Sequence, residues 1–254
     1  MARPYYIASF SGGKDSTAML LHMIELNYPI DEVLNVDTGL EFPEMYEHIR
    51  KVRSVVEEQG LKFTVLKSDK PFTWYLYEKP IESEKYGLHH GYGWPTSQIR
   101  WCTKHLKLEL LRKYLKDKGN VIQYIGLAAD EMNRLERANN TDPTHRHPLA
   151  EWGWAESDAL KYCYDRGYDW GGLYEKCRRV SCWCCPLSSI SSLKMVYRDY
   201  PDLWKILERW EEKIPHHNKV KFKDPWTVAD LAHRFERELK AEREQTKLSQ
   251  WGLV

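Results

Sequence analysis

The sequence predicts a doubly wound, mostly parallel α/β sheet with a helical C-terminal extension, and three observations predict it. Short runs rich in β-branched and aromatic residues recur at 5–10 (YYIASF), 32–36 (EVLNV), 62–66 (KFTVL) and 121–127 (VIQYIGL). Stretches with apolar residues at helical spacing fall between them. Alternation of this kind argues for parallel strands joined by crossover helices. From residue 189 onward the pattern is helical only, with helices expected at 189–198, 201–213 and 227 to about 247. A sheet domain at 1–187, which includes the cysteine cluster, and a helical extension at 188–254 are the expected divisions.

The first strand runs directly into Ser11-Gly12-Gly13-Lys14-Asp15-Ser16, and residues 17–26 (TAMLLHMIEL) continue as a helix. The six residues therefore occupy a strand-to-helix corner. Gly12 and Gly13 permit positive φ and close backbone approach, while the first amides of a helix lack internal partners and attract anions. Lys14 adds charge, and Ser11, Ser16 and Thr17 add hydroxyls. A plain glycine turn with a helix cap needs fewer polar residues than these. The adjacent glycines do not match the Walker A spacing.

Pro43 opens the second helix and Gly60 is placed to stop it. The second strand ends at Asp37-Thr38-Gly39. Ligands on parallel sheets bind at the carboxyl ends of strands, which makes Asp37 a candidate for magnesium or ribose contact as well as a simple turn residue. Residues 67–94 lose periodicity and are rich in Trp, Tyr, Gly and His, including Trp74, Tyr86 and Trp94. A long irregular stretch of this kind reads as a lid or recognition loop. The following helix, 104–118, carries Leu106, Leu108, Leu110, Leu111 and Leu115 as its expected core face. After the fourth strand come Asp130, Glu131, Arg134 and Arg137. An arginine pair there suits a second phosphate or sulfate contact, or else a solvated charged turn. Ser157 is the expected cap of a short helix to residue 166.

Six cysteines are present, and Cys177, Cys182, Cys184 and Cys185 fall within nine residues. Clustered thiolates repel one another unless a cation shares them, so the spacing points to a metal or to reactive thiols rather than to disulfides. Cys182-x-x-Cys185 has the loop spacing of zinc knuckles and iron–sulfur sites. Arg178 and Arg179 would offset thiolate charge.

Composition narrows the partners. A net charge of +1 supplies no general electrostatic case for nucleic acid or membrane. The basic stretch 213–223 holds four Lys and two His, but the helix after it is charge-balanced, which favours solvated surface. No apolar run approaches a membrane span, and Lys14-Asp15 interrupts the start too early for a signal peptide, so a cytoplasmic protein is expected.

The order of motifs resembles the phosphoadenosine phosphosulfate (PAPS) reductase family of the PP-loop ATP pyrophosphatase superfamily. The matching pieces are SFSGGKDS, DTGLEFPEMYEHI from Asp37, RWCTKHLKLELL from Arg100, GLAADEMNRLER from Gly126, HPLAEW from His147 and RRVSCWCCP from Arg178. The resemblance implies a Rossmann-like fold of the HUP kind and an adenine nucleotide. It implies ATP cleaved between its α and β phosphates, with Ser11, Gly12, Gly13, Lys14 and Ser16 at the phosphates. Asp15, and Asp37 beside it, would position Mg2+; Arg134 and Arg137 join the binding set, and Lys14 and Asp15 act in catalysis. In the iron–sulfur branch of the family a double cysteine and a later C-x-x-C hold a [4Fe-4S] cluster. Cys102, Cys182 and Cys185 resemble three of those ligands, with Cys177 preferred over Cys184 as the fourth and zinc as the alternative metal. Trp101 stands where the double cysteine would begin. Cys184, if not a ligand, is a candidate sulfur carrier.

Two departures separate the chain from sulfonucleotide reduction. The reductases carry a catalytic cysteine in a C-terminal tail, whereas here none follows Cys185, and their loop is usually degenerate, whereas SGGKDS is intact. An intact loop resembles members that adenylate an oxygen and then admit sulfur. ATP-dependent sulfur transfer is the leading expectation, with a sulfur-donor protein and a nucleic-acid acceptor as implied partners. Sulfonucleotide reduction and a non-catalytic nucleotide-binding regulator are the alternatives.

Overall fold

The structure is a computed structural model that describes residues 3–84, 87–215 and 220–250. In chain order its elements are β1 (Tyr5–Ser9), α1 (Lys14–Glu25), β2 (Glu32–Asp37), α2 (Pro43–Glu58), β3 (Lys62–Lys67), β4 (Pro80–Ser83), β5 (Gly87–His90) and α3 (Trp101–Thr103). They continue with α4 (Glu109–Leu115), β6 (Val121–Ile125), α5 (Met132–Thr141), β7 (His145–Arg146), α6 (Pro148–Glu151), α7 (Glu156–Tyr164), α8 (Leu173–Lys176), α9 (Ile190–Asp199), α10 (Pro201–Lys213) and α11 (Val228–Gln250). No described helix is long and apolar enough to cross a membrane.

The chain groups into two compact units, residues 1–69 with 103–180 and residues 70–102 with 181–254. This partition differs from a boundary at 187: the aromatic stretch after β3 and the Cys182–Cys185 turn belong with the C-terminal helices.

The first unit holds a five-stranded parallel sheet in the order β3-β2-β1-β6-β7. Ile7, Ala8, Val33 and Leu34 of its inner strands are buried as parallel strands between helices require. Connections from β1 run outward in both directions, so the strand order reverses between β1 and β6. A reversal of this kind opens a crevice at the carboxyl ends of those two strands. At the opposite end Glu32, the first residue of β2, has a fully buried carboxylate that accepts from Tyr5, Thr64, Tyr114 and Lys118 and pairs with Lys62 at 2.9 Å. Burial opposes its charge, yet these bonds outweigh burial and hold its pKa at about 2.

The sequence differs from the structure in three places here. The helix expected over 104–118 passes through a π-helical turn at Lys104–Leu108 before α4, so only Leu106 of its five leucines is buried and Leu108 is 41% exposed. Residues 132–141 form α5 rather than a turn. Helix α7 begins at Glu156 after Ala155, whose amide is bonded by Asp158, so Ser157 lies inside the helix and is not its cap.

The second unit takes up most of the Trp-rich stretch as core. Residues 74–78 make a π-helical turn, and β4 pairs antiparallel with β5. Phe72 packs on Trp101 and Trp210 at ring distances of 4.8 and 5.5 Å, Trp183 on Trp210 at 5.2 Å, and Trp94 on Phe222 at 4.8 Å. Ser189 caps α9, accepting from the Ser192 amide as its sequence position implies. Tyr86 and the HHNK tetrapeptide at 216–219 lie outside the described residues.

Candidate nucleotide site

The crevice at the reversal point is a cavity of about 360 Å³ lined by Ser11, Gly13, Lys14, Asp15, Ser16, Gly126, Glu131, Arg134, Glu156 and Tyr174, with Lys107, Arg178 and Arg179. Gly12 takes φ +83°, and a Cβ there would meet Met45 Sδ and Ile49 Cγ1 at 2.8 Å, so this position excludes a side chain twice over. Gly13 instead adopts an extended conformation and caps α1. The Ser16 hydroxyl accepts from the Ser11 amide at 3.1 Å and donates to the Gly13 carbonyl at 3.0 Å. The serines thus brace the loop from within. Thr17 and the His48 ring bond at 2.9 Å beneath it, and burial holds His48 neutral with a pKa near 3. Above, the Trp170 indole donates to the Gly12 carbonyl at 2.7 Å. The end of β6 presses on α1 through Gly126, where a Cβ would stand 2.9 Å from the Asp15 carbonyl carbon and the Ser16 amide nitrogen.

Two of the cations in the cavity, Lys14 and Arg134, are paired with its carboxylates. Lys14, only 7% exposed, places its ammonium 2.8 Å from Asp15 and 3.1 Å from Glu156. Burial raises the pKa of Asp15; Lys14 works against that rise, and Glu156 and Glu131 add to it. Arg134 pairs with Glu131 on the neighbouring turn. A buried lysine held by two carboxylates is a cation whose partners an incoming phosphate can replace. The Lys14 amide donates to the Tyr174 hydroxyl at 2.9 Å.

Of the residues read from the sequence, Ser11, Gly13, Lys14, Asp15, Ser16 and Arg134 line one cavity. Asp37 does not line it. Its carboxylate accepts from the Gly39 amide at 2.7 Å and the Tyr46 hydroxyl at 2.9 Å and pairs with Lys67. Burial opposes its ionisation, but those bonds keep its pKa below the usual range. Arg137 bonds the Asn133 carbonyl and is likewise absent from the lining. Arg178 and Arg179, read beside the cysteines, line the cavity instead. Tyr174, Glu156 and Gly126 have no local sequence signal for a role here. Gly126 opens one of the quoted motifs, and that was the only pointer.

The thiols divide between the units. Cys102, Cys182, Cys184 and Cys185 share the second, whereas Cys177 is buried at the end of α8 in the first. Cys184 is the buried member of its group; burial pushes its thiol up, and Cys182, Cys185 and Cys102 act on it in the same direction. The turn is held by the Cys185 amide on the Cys182 carbonyl at 3.1 Å. Four sulfurs in one unit are the right donors for zinc or an iron–sulfur cluster, but among the described residues no three such side chains stand close enough to hold a metal ion. Trp101 is a core residue whose indole donates to the Gly93 carbonyl. Cys163, under α1, donates to the Lys14 carbonyl, and burial pushes its pKa to about 12, which makes it a structural thiol.

Comparison with known proteins gives three results. Residues 5–188 match the model of the phosphoadenosine phosphosulfate reductase domain. Two uncharacterized proteins of Methanocaldococcus jannaschii are similar: MJ0066 is 29% identical over 221 residues, 84% of this chain and 42% of that protein, and MJ0973 is 31% identical over 206 residues, 77% of this chain and 45% of that protein. The chain therefore spans less than half the length of these relatives. A solved U34-tRNA thiolase, NcsA from Methanococcus maripaludis with its [4Fe-4S] cluster, aligns over 94% of this chain and 74% of its own with a TM-score of 0.43 and 17% identity. That likeness is too slight to carry an activity or a cluster across.

Proposed function

Because the chain belongs to the phosphoadenosine phosphosulfate reductase domain family, we propose that it is a PP-loop enzyme that cleaves ATP between the α and β phosphates to activate an acceptor for sulfur transfer. One observation carries the reading: the loop is complete and formed at the strand reversal, with Lys14 buried at its centre and Lys107, Arg134, Arg178 and Arg179 on the walls.

In this reading the Gly12–Gly13 backbone and the Ser11 hydroxyl cradle the pyrophosphate, and Ser16 braces them from within. Lys14 leaves Asp15 and Glu156 for a phosphate oxygen, which places an ammonium where negative charge grows as the bond to the α phosphorus breaks. Donors fixed in advance at that place are the main source of rate in phosphoryl and nucleotidyl transfer. Asp15, released from Lys14, is the residue that would hold Mg2+, and Glu131 and Glu156, already acting on it, favour a divalent cation there. The acceptor oxygen takes the AMP moiety, pyrophosphate departs, and sulfur later displaces AMP. A thiolate-held metal, a [4Fe-4S] cluster or zinc, belongs to the reading only with Cys102, Cys182, Cys185 and a fourth thiol drawn closer together than they stand in this structure, and no step is routed through it. The acceptor, a sulfur donor and a cytoplasmic setting remain part of the proposal.

The test is product analysis with Mg-ATP, candidate acceptors and a sulfide source. AMP and pyrophosphate in equal amounts, abolished by Lys14→Ala, are expected. Thiol-dependent sulfite release from PAPS, with no ATP cleavage, would replace the reading by sulfonucleotide reduction.

A further inference from the structure

Tyr174 is a polar group bonded to the loop that the functional reading leaves without a role. It follows the turn at 170–172 and stands at the start of α8, 160 residues along the chain from the amide it bonds. Its hydroxyl oxygen takes the hydrogen of the Lys14 amide at 2.9 Å and lies 3.4 Å from the place a Gly13 Cβ would occupy. The ring packs edge-on against Trp170 at 4.8 Å, and Trp170 bonds the Gly12 carbonyl. Two neighbouring aromatic residues thus hold the loop on both sides of its glycines, Trp170 by a carbonyl and Tyr174 by an amide. Accepting from Lys14 uses a lone pair of the Tyr174 oxygen and leaves its own O–H available to donate. Burial raises the pKa of this phenol, so the proton stays on oxygen across the working pH range. The first amide of a helix at a phosphate site is ordinarily given to the anion; here it is given to a hydroxyl that itself lines the cavity.

We propose that Tyr174 is a phosphate-positioning residue, its O–H donating to a non-bridging oxygen of the pyrophosphate portion of a bound nucleotide while its oxygen keeps the Lys14 amide. The proposal rests on the reading of the cavity as an ATP site. It adds a specificity: the contact is made only by nucleotides with phosphate beyond the α position. A hydrogen bond to a charged oxygen is worth enough that its loss weakens binding by roughly tenfold or more.

Calorimetric titration of wild type, Tyr174→Phe and Tyr164→Phe with Mg-ATP, AMP and inorganic pyrophosphate tests this. Tyr164 is the control, because it also faces Trp170, at 6.4 Å, but its hydroxyl has no partner among the described residues. The expected result is that Tyr174→Phe weakens ATP and pyrophosphate about tenfold and AMP less than about twofold, with Tyr164→Phe unchanged and the apo melting temperatures similar. Equal losses for all three ligands would make Tyr174 a structural brace and overturn the proposal, as would no loss for any. Failure of the wild type to bind either ATP or pyrophosphate would overturn the ATP-site reading itself, a result distinct from wild-type binding that Tyr174→Phe leaves intact.

Discussion

Replacing Glu32 by Gln tests whether the far end of the sheet is held by a buried carboxylate. The group is fully enclosed and its pKa is held at about 2, against an ordinary glutamate value of 4.5. Each pKa unit between folded and unfolded chain is worth 1.36 kcal/mol, so the ionised carboxylate contributes about 3 kcal/mol. Half-exposed Lys62 pulls that figure down through solvent screening, while Lys118, Tyr114 and Thr64 are better shielded. The sign follows from a depressed value: the contribution is complete above about pH 4.5 and is lost as pH falls through about 2. Urea denaturation of wild type and Glu32→Gln at pH 7, 4 and 2.5 measures it as a difference, so that other titrating groups cancel. We expect a gap of about 2–3 kcal/mol at pH 7 that narrows steadily below pH 4.5. A gap that stays constant with pH would refute the reasoning, since a lost shape or packing contact does not titrate.

Gly126→Ala places a methyl 2.9 Å from backbone atoms of Asp15 and Ser16 and should cost about 1–3 kcal/mol of stability while weakening ATP binding, read by thermal melting and calorimetry. Asp15→Asn should leave nucleotide affinity without Mg2+ nearly unchanged and lower it with Mg2+, which a titration in the presence and absence of the cation separates. Anaerobic purification with metal and iron analysis tests the thiol group: Cys102→Ser, Cys182→Ser and Cys185→Ser should each lose bound metal, whereas a wild type free of both iron and zinc would remove the metal from the account.

The sheet and the loop were legible because their signals are local. β1, β2, β3 and β6 are short apolar runs, and SGGKDS announces a phosphate corner within six residues. What escaped was set by tertiary contact. Tyr174 and Glu156 reach the loop from 160 and 142 residues away in sequence, and nothing in their neighbours marks them. The stretch after β3 looked like a lid because its aromatic residues follow no period, yet Phe72, Leu76 and Trp94 are buried and it forms a hairpin. Asp37 is at a strand end as expected, but Gly39, Tyr46 and Lys67 engage it there. Cys177 and Cys182 are five residues apart and fall in different units, a division that spacing alone does not encode.

The claim that this cavity spends ATP rather than reads a sulfonucleotide is tested most directly by following the fate of the phosphates. Incubation with Mg-ATP labelled in the γ phosphate, candidate acceptors and a sulfide source should release labelled pyrophosphate together with AMP, and Lys14→Ala should release none. Labelled orthophosphate with ADP, or sulfite from PAPS without any pyrophosphate from ATP, would contradict the account.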